Sequence, residues 1–594
     1  MQQGSPGLFE RRTQRWSAVA TALFLLLAAR LGWVQVIRHD YYRAEADKTI
    51  IRRWPIPAPR GNIYDRNGLP LALNLKLSSI AADPKYLSDS ATAAEQLAPL
   101  LRMPKEQIVA KLRGPRPDDS GKTREVRFVR LRENVDEPIA EAIRKLNLPG
   151  LIVTRQWRRA YPHGPAAAAL LGFVGSDMRG LGGIEARYQE VLAGEDGRAL
   201  VMLDGRLPRS RTQIPGRTVV EKAMTPGRSV VLTIDLNLQA AADAALAEAV
   251  KAAQAKGGTA VVMDPRTGEV LALANQPSFD PSEFARSEPT SWVSQAVVSP
   301  FEPGSTFKTI TACAALEEGV YSHGETMTCT GTRQVGNRTI GCARHGGSRA
   351  HGVVDLNTMI VKSCNVGVGT VALQLGPKRL HKWVRRLGFG QRTGIELPSE
   401  SPGQLSRPQT WSQVQVSNVG FGQGVSVTAL QLLTAYCAIA NGGYLVQPRV
   451  VKMVTNGEQA QRQEPPKPAR VLSAETCARM RKSLQGVVDE GTGKYARIPG
   501  RTVAGKTGTA QKPTPELGYR AGKYVGAFVG FAPVNDPRLA VIVVIDEPQT
   551  SHYGGVVAAP AFQKIMERGL SYLHVPPDAK DRAAPVVASR SVAE

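Results

Sequence analysis

Ser305 and Lys308 place a hydroxyl and an amine three residues apart at the start of a predicted helix. The Pro303-Gly304 pair breaks the chain just before the helical run TFKTITACAALEEG, so Ser305 is expected at the helix N-terminus. A spacing of three residues puts both side chains on one face of the helix. A lysine whose pKa is lowered by desolvation can accept the serine proton, and the N–H groups of a helix N-terminus can stabilise an oxyanion. The pair therefore predicts nucleophilic catalysis by a serine.

Two further polar motifs follow this pair in chain order. Ser363-Cys364-Asn365 is the only S-x-N sequence of the chain, and Lys506-Thr507-Gly508 is its only K-T-G sequence. Taken singly, the three motifs have plain structural explanations: a helix cap, a polar turn and an edge-strand charge. Their occurrence once each, in one region of the chain, makes a common site the better interpretation.

Predicted strands lie at both ends of the region that holds these motifs. The sequence GGTAVVMDPRTGEVLALAN predicts a β-hairpin, and residues 524–531 and 539–545 predict two late strands. A helical middle, residues 305–443, separates the early strands from the late ones. This order predicts an α+β domain in which both ends of the segment complete one antiparallel sheet.

The N-terminus predicts a membrane anchor. Residues 16–37 are mostly apolar, and 22 residues cross a hydrocarbon core of ~30 Å. Arg11, Arg12 and Arg15 precede this segment, which predicts a cytoplasmic N-terminus. A cleaved signal peptide is the alternative, but no small-x-small cleavage pattern follows the apolar run. An uncleaved transmembrane helix is therefore expected, with the remaining chain on the far side of the membrane.

Composition narrows the classes of partner. The 75 Lys and Arg residues outnumber 51 Asp and Glu residues, so the formal net charge is +24 over 594 residues. Such a balance favours an anionic partner or surface. Nucleic acid is not expected, because the sequence contains no dense basic tract and no aromatic-interleaved basic stripe. An apolar fraction of 42% is enough for a sizeable core, and 57 Gly and 41 Pro among 594 residues stay below the ~25–30% of low-complexity chains, so a disordered or fibrous protein is excluded.

The cysteines leave two possibilities open. Cys329 and Cys342 bracket a polar, glycine-rich loop, where a disulfide would contribute ~2–3 kcal/mol. A zinc site that adds His345 and His351 is the alternative, but the spacing fits no usual zinc finger. The disulfide is favoured and no metal is expected. Three other cysteines lie among small and apolar residues and are predicted to be inert core side chains: Cys313, Cys364 and Cys437.

The order S-x-x-K, S-x-N, K-T-G resembles the signature of penicillin-binding proteins and serine β-lactamases. Additional motifs extend the similarity over nearly the whole chain: Arg60-Gly-x-Ile-x-Asp-Arg-x-Gly68, Arg159-x-Tyr-Pro162, Gly182-Gly-Ile-Glu185, Gly422-Gln-Gly424, Tyr553-Gly-Gly555 and Ala558-Ala-Pro560. Together they resemble a class B penicillin-binding protein. The EPGSTFK context and the short N-terminal tail are more similar to the cell-division (septal) type than to the elongation type.

The resemblance implies an α+β fold with a single N-terminal transmembrane helix, an elongated α+β pedestal and a penicillin-binding-type transpeptidase domain. In that domain an antiparallel sheet is combined with a helical subdomain. The expected boundaries are a cytoplasmic tail at 1–15, the transmembrane helix at 16–37, a dimerisation or docking pedestal at 38–225, the transpeptidase domain at 226–572 and a disordered tail at 573–594.

The resemblance also assigns roles to the first two motifs. Ser305 would be the acylating nucleophile, and Lys308 its general base. A stem peptide ending in D-Ala-D-Ala would be attacked at its penultimate carbonyl, and an amine from a neighbouring stem peptide would then take the acyl group. Ser363 and Asn365 would relay protons and hold the donor's amide. Cys364 stands where many β-lactamases have Asp, a position that varies in the family.

The third motif is expected to bind the donor's carboxylate through Lys506, Thr507 and Thr509. Gly508 would allow a close approach of substrate to the strand. The backbone N–H groups of Ser305 and Thr509 would form the oxyanion hole. The resemblance implies no cofactor.

The resemblance further implies peptidoglycan stem peptides as substrate and β-lactams as covalent inhibitors. The implied partners are a glycosyltransferase of the shape-elongation-division-sporulation (SEDS) type and divisome membrane proteins. The implied location is the bacterial inner membrane at the division septum, with a periplasmic catalytic domain. An elongation-type transpeptidase and a D,D-carboxypeptidase that uses water as acceptor are the nearest alternatives. A β-lactamase and a β-lactam sensor are less suitable, because the former needs neither anchor nor pedestal and the latter brings several membrane spans.

Overall fold

The computed structural model describes residues 7–579, except 88, 114–115, 118–122, 125–127, 204–212, 323, 344–348, 513–518 and 520–521. The chain divides into two compact units. The first contains residues 1–58, 76–157 and 194–226, and the second contains residues 59–75, 158–193 and 227–594. His345 and residues 580–594 of the expected tail lie outside the described residues.

The first unit begins with an exposed apolar helix. Helix Leu8–Gly32 continues through a π-helical turn, Trp33–Ile37, and helix His39–Ile50 follows. The segment Arg11–Ile37 is long and apolar enough to cross a membrane, and it contains the predicted span 16–37. Its leucines do not pack against protein: Leu25 and Leu26 are 66% and 68% exposed. Such a helix is suited to a lipid environment.

The rest of the first unit has a small α+β core. Residues 77–82 pair antiparallel with strand Val129–Asp136. Three helices bury apolar side chains beside them: Ser90–Leu101, Lys105–Leu112 and Glu137–Lys145. A separate antiparallel sheet places strand Gly197–Leu203 between Ile51–Ile56 and Gln213–Lys222.

Three of the N-terminal motifs meet within the second unit at one buried carboxylate. Glu185, which is 0% exposed, accepts hydrogen bonds of 2.6 Å from Nε of both Arg60 and Arg159. Arg159 also donates to the carbonyl of Gly61, and Arg60 donates to the carbonyl of Glu185 itself. Buried charges are tolerated when they are paired and hydrogen-bonded, and this network satisfies that condition.

A five-stranded antiparallel sheet is the centre of the second unit. Its strand order is Val270–Gln276, Gly257–Met263, Leu539–Asp546, Tyr524–Ala532 and Ala504–Gln511. The predicted sheet, completed by early and late strands, is therefore confirmed. The K-T-G motif lies in the last of these strands, at the edge of the sheet.

The central sheet is buried on both faces. Alternate residues of strand Gly257–Met263 enter different cores: Ala260 and Val262 face one, and Val261 and Met263 face the other. Helices Leu236–Ala252 and Ala559–Tyr572 cover the first face. Helices Ala429–Ala440 and Ala474–Asp489 pack on the opposite side.

The predicted helical middle contains both helices and short hairpins. The helices are Lys308–Glu317, Leu356–Val361, Asn365–Arg386, Gln413–Gly420 and Ala429–Ala440. Between the first two, strand Thr326–Cys329 pairs with Gly352–Asp355, and Thr332–Val335 pairs with Arg338–Gly341. Helix Ala429–Ala440 is entirely buried, and a capping box between Thr428 and Gln431 begins it.

Candidate active site

Ser305 lies in a tight turn just before the first helix of the helical region. The turn is the 3₁₀ segment Gly304–Phe307, and helix Lys308–Glu317 follows directly. Gly304 has φ +52°, and its N–H donates to the carbonyl of Gly422 at 3.0 Å. A Cβ on Gly304 would lie 2.8 Å from the carbonyl oxygen of Thr509. The turn therefore needs a glycine both for its conformation and for its contact with the edge strand.

A buried tyrosine is hydrogen-bonded to this turn and to the helix that follows it. The hydroxyl of Tyr436 donates to the carbonyl of Thr306 at 2.8 Å and lies 2.9 Å from the hydroxyl of Thr309. Two residues further along the helix, the hydroxyl of Thr311 donates to the carbonyl of Gly420. These bonds fix the backbone on either side of Lys308.

Lys308 connects the first motif to the second. Its side chain is 0% exposed, and its Nζ donates to the carbonyl oxygen of Ser363 at 2.6 Å and to the Ser363 hydroxyl at 3.0 Å. Burial lowers the pKa of Lys308 to about 8, although negative charge on the nearby thiols of Cys364 and Cys342 would act in the opposite direction. A substantial fraction of this amine is therefore neutral near pH 7–8 and can act as a base.

Asn365 begins helix Asn365–Arg386, and its side chain is fixed by a neighbouring hairpin. The Asn365 amide donates to the carbonyl of Gly341 at 2.9 Å. Gly341 ends strand Arg338–Gly341, so the second motif and this hairpin form one wall. Asn365 also lines the cleft described below.

The third motif lies beside the nucleophile turn. A Cβ on Gly508 would come 2.9 Å from Cγ2 of Thr306 and 3.0 Å from the carbonyl oxygen of Pro303. Gly508 thus allows the turn, as well as any substrate, to approach the strand. Lys506 is 0% exposed, and its burial lowers its pKa well below the ordinary value, with the Lys308 charge acting in the same direction.

The two threonines of the third motif have different surroundings. The hydroxyl of Thr509 accepts the N–H of Gly554 at 3.2 Å, which connects the strand to the Tyr553-Gly-Gly555 motif. The hydroxyl of Thr507 lies 2.7 Å from that of Thr492. Of these two predicted carboxylate ligands, Thr509 also borders the cleft.

A cleft of about 420 Å³ opens beside Ser305. Three predicted site residues line it, namely Ser305, Asn365 and Thr509, one from each motif region. Buried Lys308 and half-buried Ser363 form a hydrogen-bonded pair, and neither is among the residues that line the cleft. The structure therefore brings the three motifs, 58 and 143 residues apart along the chain, to one place.

Sequence reasoning missed several polar residues of this cleft. Arg338, Asn418 and Gln423 also line it. Gln423 is the middle residue of the Gly422-Gln-Gly424 motif, whereas no pattern around Arg338 or Asn418 distinguished them. Their positions depend on a hairpin and a helix end that reach the cleft only in the folded chain.

Glu302, the acidic residue of the EPGSTFK sequence, accepts two hydrogen bonds from other segments of the chain. Oε1 of Glu302 accepts the N–H of Gly424 at 2.9 Å and the hydroxyl of Tyr519 at 2.6 Å. Burial, together with the Glu302 carboxylate, raises the pKa of the Tyr519 hydroxyl, which stays a neutral donor. One carboxylate thereby joins the nucleophile segment to two other stretches of chain.

All six cysteines lie within the described residues and none forms a disulfide. The sulfur atoms of Cys329 and Cys342 are 3.8 Å apart, so the disulfide favoured from the sequence is not present in the structure. Cys364 is buried, as predicted for a core side chain, but its sulfur lies 3.7 Å from that of Cys342. The middle residue of the second motif is therefore part of a thiol cluster.

The comparisons with known proteins agree with this geometry. Residues 258–567 match the family described as penicillin binding protein transpeptidase domain, and residues 55–232 match the penicillin-binding protein dimerisation domain. The probable peptidoglycan D,D-transpeptidase PbpC of Pseudomonas aeruginosa is 33% identical over 588 residues, covering 98% of this chain and 99% of that protein. The peptidoglycan D,D-transpeptidase FtsI of Escherichia coli is 32% identical over 578 residues, covering 95% of this chain and 93% of that protein.

A solved structure of a penicillin-binding protein is similar to most of this chain. The crystal structure of penicillin binding protein 3 from Mycobacterium tuberculosis, complexed with aztreonam, has a TM-score of 0.68 and 30% sequence identity. The similarity covers 89% of this chain and 100% of that one. The family matches, the full-length relatives and the arrangement of the three motifs show together that the chain belongs to the class B penicillin-binding proteins, with a dimerisation domain followed by a transpeptidase domain.

Proposed function

We propose that this protein is a peptidoglycan D,D-transpeptidase that cross-links stem peptides through an acyl-enzyme on Ser305. The observation that carries the proposal is the buried Lys308 amine, whose Nζ is hydrogen-bonded to the Ser363 hydroxyl at 3.0 Å, next to the turn that presents Ser305. A nucleophilic serine needs a nearby base with a pKa near the working pH, and burial gives Lys308 a pKa of about 8.

The proposed acylation step assigns a role to each of these residues. Neutral Lys308 accepts the Ser305 proton as the Ser305 oxygen attacks the penultimate D-Ala carbonyl of the donor. The N–H groups of Ser305 and Thr509 donate to the oxyanion that forms. When the intermediate collapses, the C–N bond to the terminal D-Ala breaks, and its amine leaves with a proton passed from Lys308 through the Ser363 hydroxyl. The donor remains as an ester of Ser305.

The second half reaction reverses these roles. An amine of a neighbouring stem peptide attacks the ester carbonyl and loses a proton to the Ser363–Lys308 pair. The ester C–O bond breaks, the Ser305 oxygen regains its proton, and the new amide is the cross-link. Lys506 and Thr509 bind the donor's terminal carboxylate during the first step, while Asn365 orients its amide. β-Lactams would acylate Ser305 in the same manner as the donor.

We further propose that the protein is a single-pass membrane protein that acts at the division septum. The apolar segment Arg11–Ile37 and the arginines at its start support a cytoplasmic N-terminus and an extracytoplasmic catalytic domain. The similarity to FtsI supports the septal role and, with it, a SEDS-type glycosyltransferase and divisome membrane proteins as partners. A fluorescent fusion should gather at the septum, whereas an even distribution along the side wall would contradict the septal role.

Covalent labelling tests the nucleophile directly. The full-length protein in detergent should form a stable adduct with a fluorescent penicillin, and Ser305→Ala should abolish it. Ser299→Ala is a matched control, because Ser299 is exposed and bonds only to the nearby Gln295 among the described residues. Equal labelling of Ser305→Ala and wild type would overturn the assignment. Release of the label within seconds would indicate a β-lactamase instead.

A further inference from the structure

Four metal-binding side chains converge beside the second motif. Cys329, Cys342, His351 and Cys364 each offer one donor atom, and these four atoms lie within 4.8 Å of one another. The three cysteines are buried, with exposures between 0% and 3%. The four residues come from separate elements. Cys329 ends strand Thr326–Cys329, and Cys342 follows strand Arg338–Gly341. His351 precedes strand Gly352–Asp355, and Cys364 caps helix Asn365–Arg386.

Three of the six distances among these four atoms match the edges of a tetrahedral metal site, and the other three do not exceed 4.8 Å. Zinc–sulfur bonds of about 2.3 Å at tetrahedral angles give sulfur–sulfur edges of about 3.8 Å, and a zinc–nitrogen bond of about 2.05 Å gives sulfur–nitrogen edges of about 3.6 Å. The sulfur of Cys342 lies 3.8 Å from that of Cys329 and 3.7 Å from that of Cys364. Nδ1 of His351 lies 3.6 Å from the sulfur of Cys329.

The chemistry of the set favours zinc over a disulfide. A disulfide can join two of the three thiols and leaves the third thiol and the imidazole without a role, whereas one zinc ion uses all four donors. Backbone N–H groups also point at two of the sulfurs. The N–H of Gly367 donates to the Cys364 sulfur at 3.2 Å, and that of Val366 donates to the Cys342 sulfur at 3.4 Å. Such bonds stabilise and orient metal-bound thiolates.

We propose that Cys329, Cys342, His351 and Cys364 bind one structural Zn²⁺ ion that fixes the catalytic S-x-N motif. Four protein ligands complete a tetrahedral zinc site, so the ion has a structural and not a chemical role. This proposal replaces the sequence-based expectation of no metal. The zinc alternative considered from the sequence consisted of Cys329, Cys342, His345 and His351. The proposed site has Cys364 in place of His345.

The proposed ion would be connected through the backbone to Ser363 and Asn365 of the second motif. Cys364 stands between Ser363 and Asn365, so its bond to zinc would hold the backbone of both. Cys342 follows Gly341, whose carbonyl accepts the Asn365 amide. Loss of the ion should therefore loosen Asn365 and the Lys308–Ser363 pair together.

Metal content of the full-length protein is the first test, and it does not depend on the proposed function. Protein purified in detergent should contain one zinc per chain, and X-ray absorption should show three sulfur ligands at about 2.3 Å and one nitrogen. Cys329→Ser should lose most of the zinc. Cys477→Ser is the matched control, because Cys477 is also buried but its sulfur contacts the carbonyl of Ala438 outside the cluster.

A cobalt-substituted wild type keeps the test independent of whether a variant folds. Co²⁺ in this site should give the intense visible bands and the thiolate charge-transfer band of a tetrahedral cobalt–thiolate centre. Any of four results would overturn the proposal. These are an octahedral cobalt spectrum, zinc-free protein from zinc-containing medium, iron in place of zinc, and a Cys329–Cys342 disulfide found by mass spectrometry.

The role of the ion in positioning the motif rests on the proposed function and needs its own measurement. Removal of zinc by a chelator should lower the melting temperature and slow acylation by a fluorescent penicillin about tenfold or more, and added zinc should restore both. An unchanged acylation rate in zinc-free protein would overturn the positioning role. Protein that holds one zinc but is never acylated would instead contradict the proposed function and leave the metal site intact.

Discussion

Nζ of Lys308 donates a hydrogen bond of 2.6 Å to the carbonyl oxygen of Ser363, 55 residues further along the chain. Ser363 has φ +56°, in the left-handed region, which costs a non-glycine residue on the order of 1–3 kcal/mol. The strained residue is the one that offers both its carbonyl and its hydroxyl to the buried amine. The backbone strain therefore coincides with the contact through which we propose that protons move.

Acylation should depend on pH through Lys308. A base works only when it is deprotonated, and burial gives this amine a pKa of about 8. The acylation rate constant with a β-lactam should therefore rise nearly tenfold per pH unit below about pH 8 and level off above it. Rates measured by timed fluorescent-penicillin labelling, with circular dichroism to monitor folding, would check this. Lys308→Arg should lose about 10²–10⁴-fold in rate. A flat profile would mean that another group is the base.

Gly304 should be needed both for its positive φ and for its close contact with the Thr509 carbonyl oxygen. Gly304→Ala must accept φ +52° and also a Cβ 2.8 Å from the Thr509 carbonyl oxygen. Gly319→Ala is the matched control, because Gly319 has φ +62° with no atom within 4 Å of its Cβ position. Both variants should lose about 1–2 kcal/mol of stability from the strain.

Gly304→Ala alone should also slow acylation, because the clash separates the turn that contains Ser305 from the edge strand that carries the proposed oxyanion donor, Thr509. We expect a loss of about tenfold or more, measured as the rate of fluorescent-penicillin labelling. Equal labelling rates in the two glycine variants would refute this account of the contact with Thr509.

The hydroxyl of Tyr436 should stabilise the fold measurably. Tyr436→Phe removes the donor to the Thr306 carbonyl and leaves that buried oxygen without its bond, which costs about 1–3 kcal/mol. Tyr321→Phe is the control, because the Tyr321 hydroxyl is buried and has no hydrogen-bond partner among the described residues. Thermal unfolding should show a lower melting temperature for Tyr436→Phe and little change for Tyr321→Phe. Equal effects would show that the hydrogen bond is not the cause.

The buried carboxylate of Glu185 should contribute far more to the free energy of unfolding than an exposed ion pair does. Glu185→Gln leaves the buried guanidinium groups of Arg60 and Arg159 without their counter-charge, at a cost of about 3–5 kcal/mol. Glu195→Gln removes an exposed pair with Lys222, which contributes about 0–1 kcal/mol. Denaturant unfolding of the two variants should separate them clearly. A similar small loss in both would mean that the network is replaceable.

Local pattern was sufficient to predict much of the architecture. The β-rich apolar runs at 257–263 and 539–545 predicted strands, and the structure pairs them in the central sheet. The apolar N-terminal segment and the helical middle were also predictable, because hydrophobic period and length are properties of the chain itself. The two short strand pairs within residues 326–355 were not predicted, since short polar strands have a weak pattern.

The sequence by itself determined the chemistry of the site: a serine, a lysine and two short motifs that each occur once. Only the tertiary structure decided their surroundings. It buried Lys308 against Ser363, which lowers the pKa of the amine, and it joined Arg60 and Arg159 at Glu185. It also brought Cys364 to Cys329, Cys342 and His351. Desolvation and metal-ligand geometry depend on distances between side chains from separate elements, and residue spacing along a chain does not contain those distances.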